Sequence, residues 1–102
     1  MLDFTSIEGF EWDEGNRDKN WTTHRVGWTE AEEAFFGSPI IVSPDPKHSL
    51  AENRMALLGR TLANRRLVIV FTVRNNRIRV ISARDMSKKE RKLYDEALEE
   101  NS

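Results

Sequence analysis

The sequence contains no cysteine, so neither a disulfide framework nor a thiolate metal site can form. Its longest apolar run, "LVIVFTV", has seven residues counting the threonine, far short of a bilayer-spanning helix. There is no glycine-rich phosphate loop, no HExxH pair and no carboxylate spacing of a calcium loop. The opening "MLDFTSIEGF" is acidic rather than basic and does not read as a secretion signal. A cytoplasmic protein without membrane, metal or cofactor is the expectation. Internal repeats, low-complexity segments and long linkers are also missing.

What is present suits one small domain over residues 1–102, with a loose leader over 1–9 and a fraying tail over 96–102. Apolar residues make up 38% and charged residues 32% of the chain, as in a globular domain. The net charge of −1 hides an asymmetry. Residues 1–53 carry 4 Lys/Arg against 11 Asp/Glu, and residues 54–102 carry 12 against 6, so the halves stand at −7 and +6. Opposed halves either neutralise one another across the fold or expose a basic face to an anionic partner.

Patterning gives a coarse element order. "FEWD" reads as a short strand, and Asp13 is an N-cap for a polar helix reaching about Thr23. Thr29 with Glu32 looks like a capping box for a second short helix, which Gly37 and Pro39 end. "PIIVS" is a strand, followed by the turn-rich loop "PDPKHSLAEN". Strands follow at about Arg54–Arg60, Leu67–Val73 and Arg77–Ala83, with hairpin-length connections. Leu67–Val73 is nearly all apolar, as expected of a central strand covered on both faces. Ser87 with Glu90 starts a last helix whose Leu93, Tyr94, Ala97 and Leu98 share a face. The sum is an α+β domain: a small, mostly antiparallel sheet, two N-terminal helices and a C-terminal helix, with the helices against one side.

Among candidate functional residues the arginines stand out, because guanidinium is permanently charged and its planar fork fits phosphate oxygens. Arg54, Arg79 and Arg84 mark the start, middle and end of strands in one meander. Arg79 and Arg84 differ by five, so a straight strand aims them at opposite faces; they converge only where the chain bends near Ala83. The competing reading is that they pair with the acidic half. His24 closes the first helix, where an imidazolium suits the dipole, although a histidine can also act as general acid or base. His48 in "PDPKH" reads as loop rather than metal ligand. Trp12, Trp21, Trp28, Phe35 and Phe36 could stack on bases, but a chain this short is expected to use them as core.

Four segments, "FEWDE", "HxVxWxEAxxxF", "RxxxLGxT" and "RIRVISARDMSKKERKLY", occur in an order that resembles the BrnT family. That family carries "WDE", "KHGVxFEEA", "RxxxIG" and a terminal "RxISARxAxRxExxxY". The resemblance covers about residues 10–95. It implies a RelE-like fold and a ribonuclease toxin of a type II toxin–antitoxin system that stops translation. It further implies an RNA substrate and a DNA-binding antitoxin that joins the toxin in a hetero-oligomer, expected as a heterotetramer.

Carried over residue by residue, the resemblance makes His24, Arg54, Arg79 and Arg84 the catalytic candidates. Arg25, Arg77, Lys88 and Tyr94 are the substrate-binding candidates, with Lys89 adding general attraction and Glu90 matching the motif's acidic position. The sequence departs from the family at Thr23, where a lysine is usual, and at Arg25, where a glycine is usual. The expected chemistry is metal-independent: the RNA 2′-OH attacks the adjacent phosphate. The alternative is a catalytically weakened module of the same fold that binds RNA or antitoxin.

Overall fold

The computed structural model describes residues 6–45 and 53–100. Most of the "PDPKHSLAEN" loop, including His48, lies outside the described residues. The chain runs β1 (Gly9–Glu11), α1 (Glu14–His24), α2 (Trp28–Glu33), β2 (Ile41–Pro44), β3 (Met55–Arg60), β4 (Arg66–Arg74), β5 (Arg77–Asp85) and α3 (Lys88–Glu100). This is the α+β order that the patterning gives. The last helix reaches Glu100, so the stretch expected to fray from residue 96 is helical up to that point.

The ends of the elements follow local chemistry. Asp13 caps α1, its carboxylate accepting from the Gly15 N–H at 3.0 Å. The cap of α2 is Gly27, two residues earlier than the Thr29 expected: Glu30, not Glu32, reaches back to the Gly27 N–H at 3.0 Å. The earlier start puts Ala31, Ala34 and Phe35 on the buried side. Asn75 and Asn76, both at positive φ, make the tight turn between β4 and β5.

The sheet has five strands in the order β1-β5-β4-β3-β2, so β4 is central as expected. β1 joins β5 in parallel and every other pairing is antiparallel. Cross-strand partners share a face. Leu57, Leu67, Ile69, Phe71, Ile78, Val80 and Ala83 point to one face and form the main core with Val26, Ala31, Ala34 and Phe35. Gly59 permits close contact of β3 with α2, since a Cβ there would meet the Ala34 carbonyl oxygen at 2.5 Å.

The helices do not all lie on one side. α2 covers the core face, whereas α3 lies on the opposite face near the β3–β4 hairpin. Tyr94 of α3 is fully buried there and donates from its hydroxyl to the Pro39 carbonyl at 2.6 Å. The central strand carries apolar residues toward both layers, which is why one helix can dock on each face.

Candidate nucleic-acid interface

The register of β4 with β5 decides where the arginines point. Phe71 faces Val80 and Val70 faces Ser82, so Ile81 has no partner and forms a β-bulge. The extra residue reverses the parity of everything after it. Arg77 and Arg79 before the bulge and Ser82 and Arg84 after it all lie on the face opposite the main core. The bend that the five-residue spacing of Arg79 and Arg84 requires is therefore a bulge at Ile81, two residues before Ala83.

Helix α1 supports the bulge from the free edge of β5. Asn16 donates to the Val80 carbonyl at 3.3 Å, and the buried Asn20 accepts from the Ala83 N–H at 3.1 Å. These bonds take backbone groups on either side of Ile81 that β1 does not reach. Asn16 and Asn20 escaped the sequence reading. Two asparagines one turn apart in a helix are a usable signal, because asparagine favours caps and turns over helix interiors.

Across the face runs a row of polar groups: Glu11 opposite Arg79, and Arg79 opposite Thr72. Arg54, one residue before β3, falls on the same face by alternation with Met55. With one strand between them, Arg54 and Arg79 stand about 10 Å apart at the backbone. Arg77 is exposed farther along the face, and Lys88 is exposed in the first turn of α3.

The two central arginines differ in how they are held. Arg79 has a loose pair, 3.6 Å from the Asp13 carboxylate, which is itself half exposed. Arg84 forms a two-pronged pair with Glu90 at 2.8 and 2.9 Å and also donates to the Asp85 carbonyl at 3.1 Å. Glu90 accepts from the Ser87 N–H at 2.8 Å, completing the capping box expected at the start of α3. The hydrogen bonds from Arg84 are the main cause that lowers the Glu90 carboxyl to about 2, and the same pair raises Arg84. Of the two sequence readings of the arginines, pairing with the acidic half applies to Arg79 alone. Arg79 reaches into the acidic half, Arg84 pairs within the basic half, and both share one sheet face.

His24 does not join this row. α1 runs beside β5 with Asp13 near Arg79 and Asn20 at Ala83. Its 11 residues span about 16 Å, which places His24 at the far end from Arg79. There Arg65 organises the turn. It binds the Asp85 carboxylate with two bonds of 2.7 and 3.0 Å, reaches Glu30 at 3.2 Å, and donates to the carbonyls of His24 and Arg25 at 3.3 and 2.8 Å. Its bonds are the leading cause that lowers the Asp85 carboxyl, with a smaller contribution from His24.

Arg25 occupies a left-handed position, φ 55°, as C-cap of α1, with its N–H on the Trp21 carbonyl at 2.9 Å. That is the glycine position of the family motif, and the conformation explains the glycine. Tyr94 is corrected from a surface contact to a packing residue, because its ring has no exposed area. The aromatic expectation also needs correction. Phe35 is buried and Trp12 is half-buried, donating to Glu32 at 2.7 Å. Trp21, Trp28 and Phe36 are exposed instead. The two tryptophans are shielded in part by Arg25 and Arg17, at 5.6 and 4.8 Å from their rings.

The fold and this face define a small α+β protein with a bulged basic sheet surface. The family model described as "Ribonuclease toxin, BrnT, of type II toxin-antitoxin system" matches residues 12–90, and the chain belongs to that family. A solved structure, the ribonuclease toxin BrnT of Brucella abortus, is similar to it in fold, with a TM-score of 0.61 and 20% identity over 78% of this chain and 97% of that one. No curated protein matches the chain in sequence. Among the described residues no helix is long and apolar enough to cross a membrane.

Proposed function

We propose that this chain is a cytoplasmic toxin that stops translation by cleaving RNA without a metal ion, and that the cleaved phosphate lies on the bulged sheet face. The family supplies the coarse statement, a ribonuclease toxin with an antitoxin partner. The observation that carries the finer one is that Arg84, turned by the Ile81 bulge, shares a face with Arg54 and Arg79. The 2′-OH is an internal nucleophile, so the protein need supply only charge, a base and an acid. Arg79 and Arg54 hold the phosphate and stabilise the charge that builds on it. Arg84, fixed by Glu90, lends a further fork of donors. Arg77 and Lys88 attract the strand, and Arg25 does so from the end of α1. His24 is the candidate acid or base for a chain that bends around the end of β5. The antitoxin is a DNA-binding protein that assembles with the toxin into a hetero-oligomer.

Purified protein with chelator present cleaves single-stranded RNA and leaves the 2′-deoxy substrate intact. Arg79→Ala lowers the rate by about 10²–10³-fold. Cleavage that requires added magnesium, or that is unaffected by Arg79→Ala, would defeat the proposal.

A further inference from the structure

Where α1 meets α2, four side chains form a row in which rings and cations alternate. The Arg17 guanidinium lies 4.8 Å from the Trp28 ring, and that of Arg25 lies 5.6 Å from the Trp21 ring. Arg17 and Trp21 are four residues apart on α1, so they are neighbours on its surface. The order is Trp28, Arg17, Trp21, Arg25. Burial is the ordinary fate of tryptophans in so short a chain, yet Trp21 is 51% and Trp28 41% exposed. Arg25 keeps its place in the row from a left-handed backbone, φ 55°, which disfavours any residue with a β-carbon. The row also has a fixed place beside the basic sheet face. Arg65 binds the Asp85 carboxylate and the Arg25 carbonyl together, and Asp85 directly follows Arg84. The Arg25 end of the row therefore stands at the end of β5. Of the nearby acids, Glu30 is held by Arg65 and the Gly27 N–H, and Glu32 by Trp12. Asp18 is exposed next to Arg17 and makes the Arg25 end the more attractive one for phosphate.

We infer that this row is a second RNA subsite, in which Trp21 and Trp28 stack unpaired bases of the strand that leaves the arginine face. The inference rests on the proposed function for its substrate and adds where the flanking nucleotides go. A strand that rounds the end of β5 from Arg84 meets Arg25 first, then Trp21, then Arg17 and Trp28. A guanidinium held over a ring keeps N–H groups for phosphate oxygens. The row thus offers both halves of a nucleotide their partners: rings for bases and cations for the backbone. Every base has a π-face, so the subsite takes single strands with little regard to sequence. A duplex keeps its bases stacked within itself and is not a ligand for the rings. Trp and Arg also anchor protein interfaces. The cations in the row and its continuity with Arg84 favour an anionic strand over a protein.

The test uses the full chain and 2′-O-methyl RNA, which the proposed chemistry cannot cleave. Binding is compared between a dinucleotide and an unpaired strand of about ten nucleotides, within the range of single-strand sites. The native protein binds the longer strand about 100-fold tighter, and Trp21→Ala and Trp28→Ala each remove about tenfold of that preference. Trp21→Phe, which keeps a stacking face, keeps most of it. An unchanged preference in both alanine variants, with native circular dichroism, overturns the inference. Where an alanine variant fails to fold, Trp21→Leu against Trp21→Phe makes the same comparison, and equal binding by those two overturns the inference as well. A preference for the longer strand that the alanine variants lose, without cleavage of all-ribose RNA, supports the subsite and defeats the nuclease reading. Cleavage of all-ribose RNA with no length preference does the reverse. Absence of any RNA binding overturns both. Tryptophan variants that keep the length preference but no longer co-purify with a co-expressed antitoxin assign the row to protein contact and overturn the inference.

Discussion

Arg79 and Arg84 are five residues apart on one strand yet project from the same face of the sheet, because the unpaired Ile81 lies between them. An odd spacing in an unbulged strand would have sent one of them into the core face beside Val80 and Ala83. The shared face depends on backbone geometry that α1 supports through Asn16 and Asn20.

Asn20→Ala leaves the Ala83 N–H without its acceptor in a buried place. The expected loss is about 1–3 kcal/mol, with a smaller loss for Asn16→Ala, whose bond is longer and only partly buried. Urea unfolding measures both. RNA cleavage by Asn20→Ala at a temperature where it remains folded falls as well, since the bulge orients Arg84. Full activity in that variant would show that the bulge does not need the helix.

Arg25→Gly relieves a left-handed backbone that a β-carbon makes costly, while it gives up the contact of Arg25 with Trp21. Comparison with Arg25→Ala separates the two effects, because alanine loses the ring contact and keeps the strain. The glycine variant is expected to be more stable than the alanine variant by about 1 kcal/mol. Equal melting temperatures would contradict this account of the family glycine.

Tyr94→Phe removes one bond, to the Pro39 carbonyl, from a fully buried ring. Stability drops by about 1 kcal/mol. Cleavage at low temperature is expected to match that of the native protein. A large fall in rate without a fall in stability would return Tyr94 to the substrate.

Glu90 gives the fold an acid dependence whose sign follows from its lowered carboxyl. Its stabilising contribution is complete above the ordinary value of 4.5 and is lost as pH falls through about 2. Arg84 is 41% and Glu90 29% exposed, so solvent screening limits the contribution to about 1 kcal/mol. The stability gap between native protein and Glu90→Gln is therefore expected to shrink as pH falls from about 5 to about 2. A gap that stays constant across that range would exclude the pair as its source.

Much of the element order was legible from local chemistry. Asp13 and Ser87 are short polar side chains that cap helices by contacts within a few residues. The run from Leu67 to Val73 shows by its apolarity that it is central, and paired asparagines at positions 75 and 76 show a tight turn. Ordered motifs such as "HxVxWxEAxxxF" carried the family resemblance without any geometry. For α2 the local rules placed the cap at Thr29, whereas it is Gly27, because burial of Ala31 and Phe35 decides the phase of the helix.

By itself, then, the sequence determined which segments are helices and strands, that half the chain is basic, and which arginines are candidates for phosphate. Those are properties of near neighbours and of composition. Only the tertiary structure decided which arginines share a face, that Arg84 is held by Glu90, that His24 stands a helix length from Arg79, and that Tyr94 is buried. Each of these depends on strand register or helix docking. One unpaired residue in a ladder reverses every side chain beyond it, and no local pattern in β5 announces that residue.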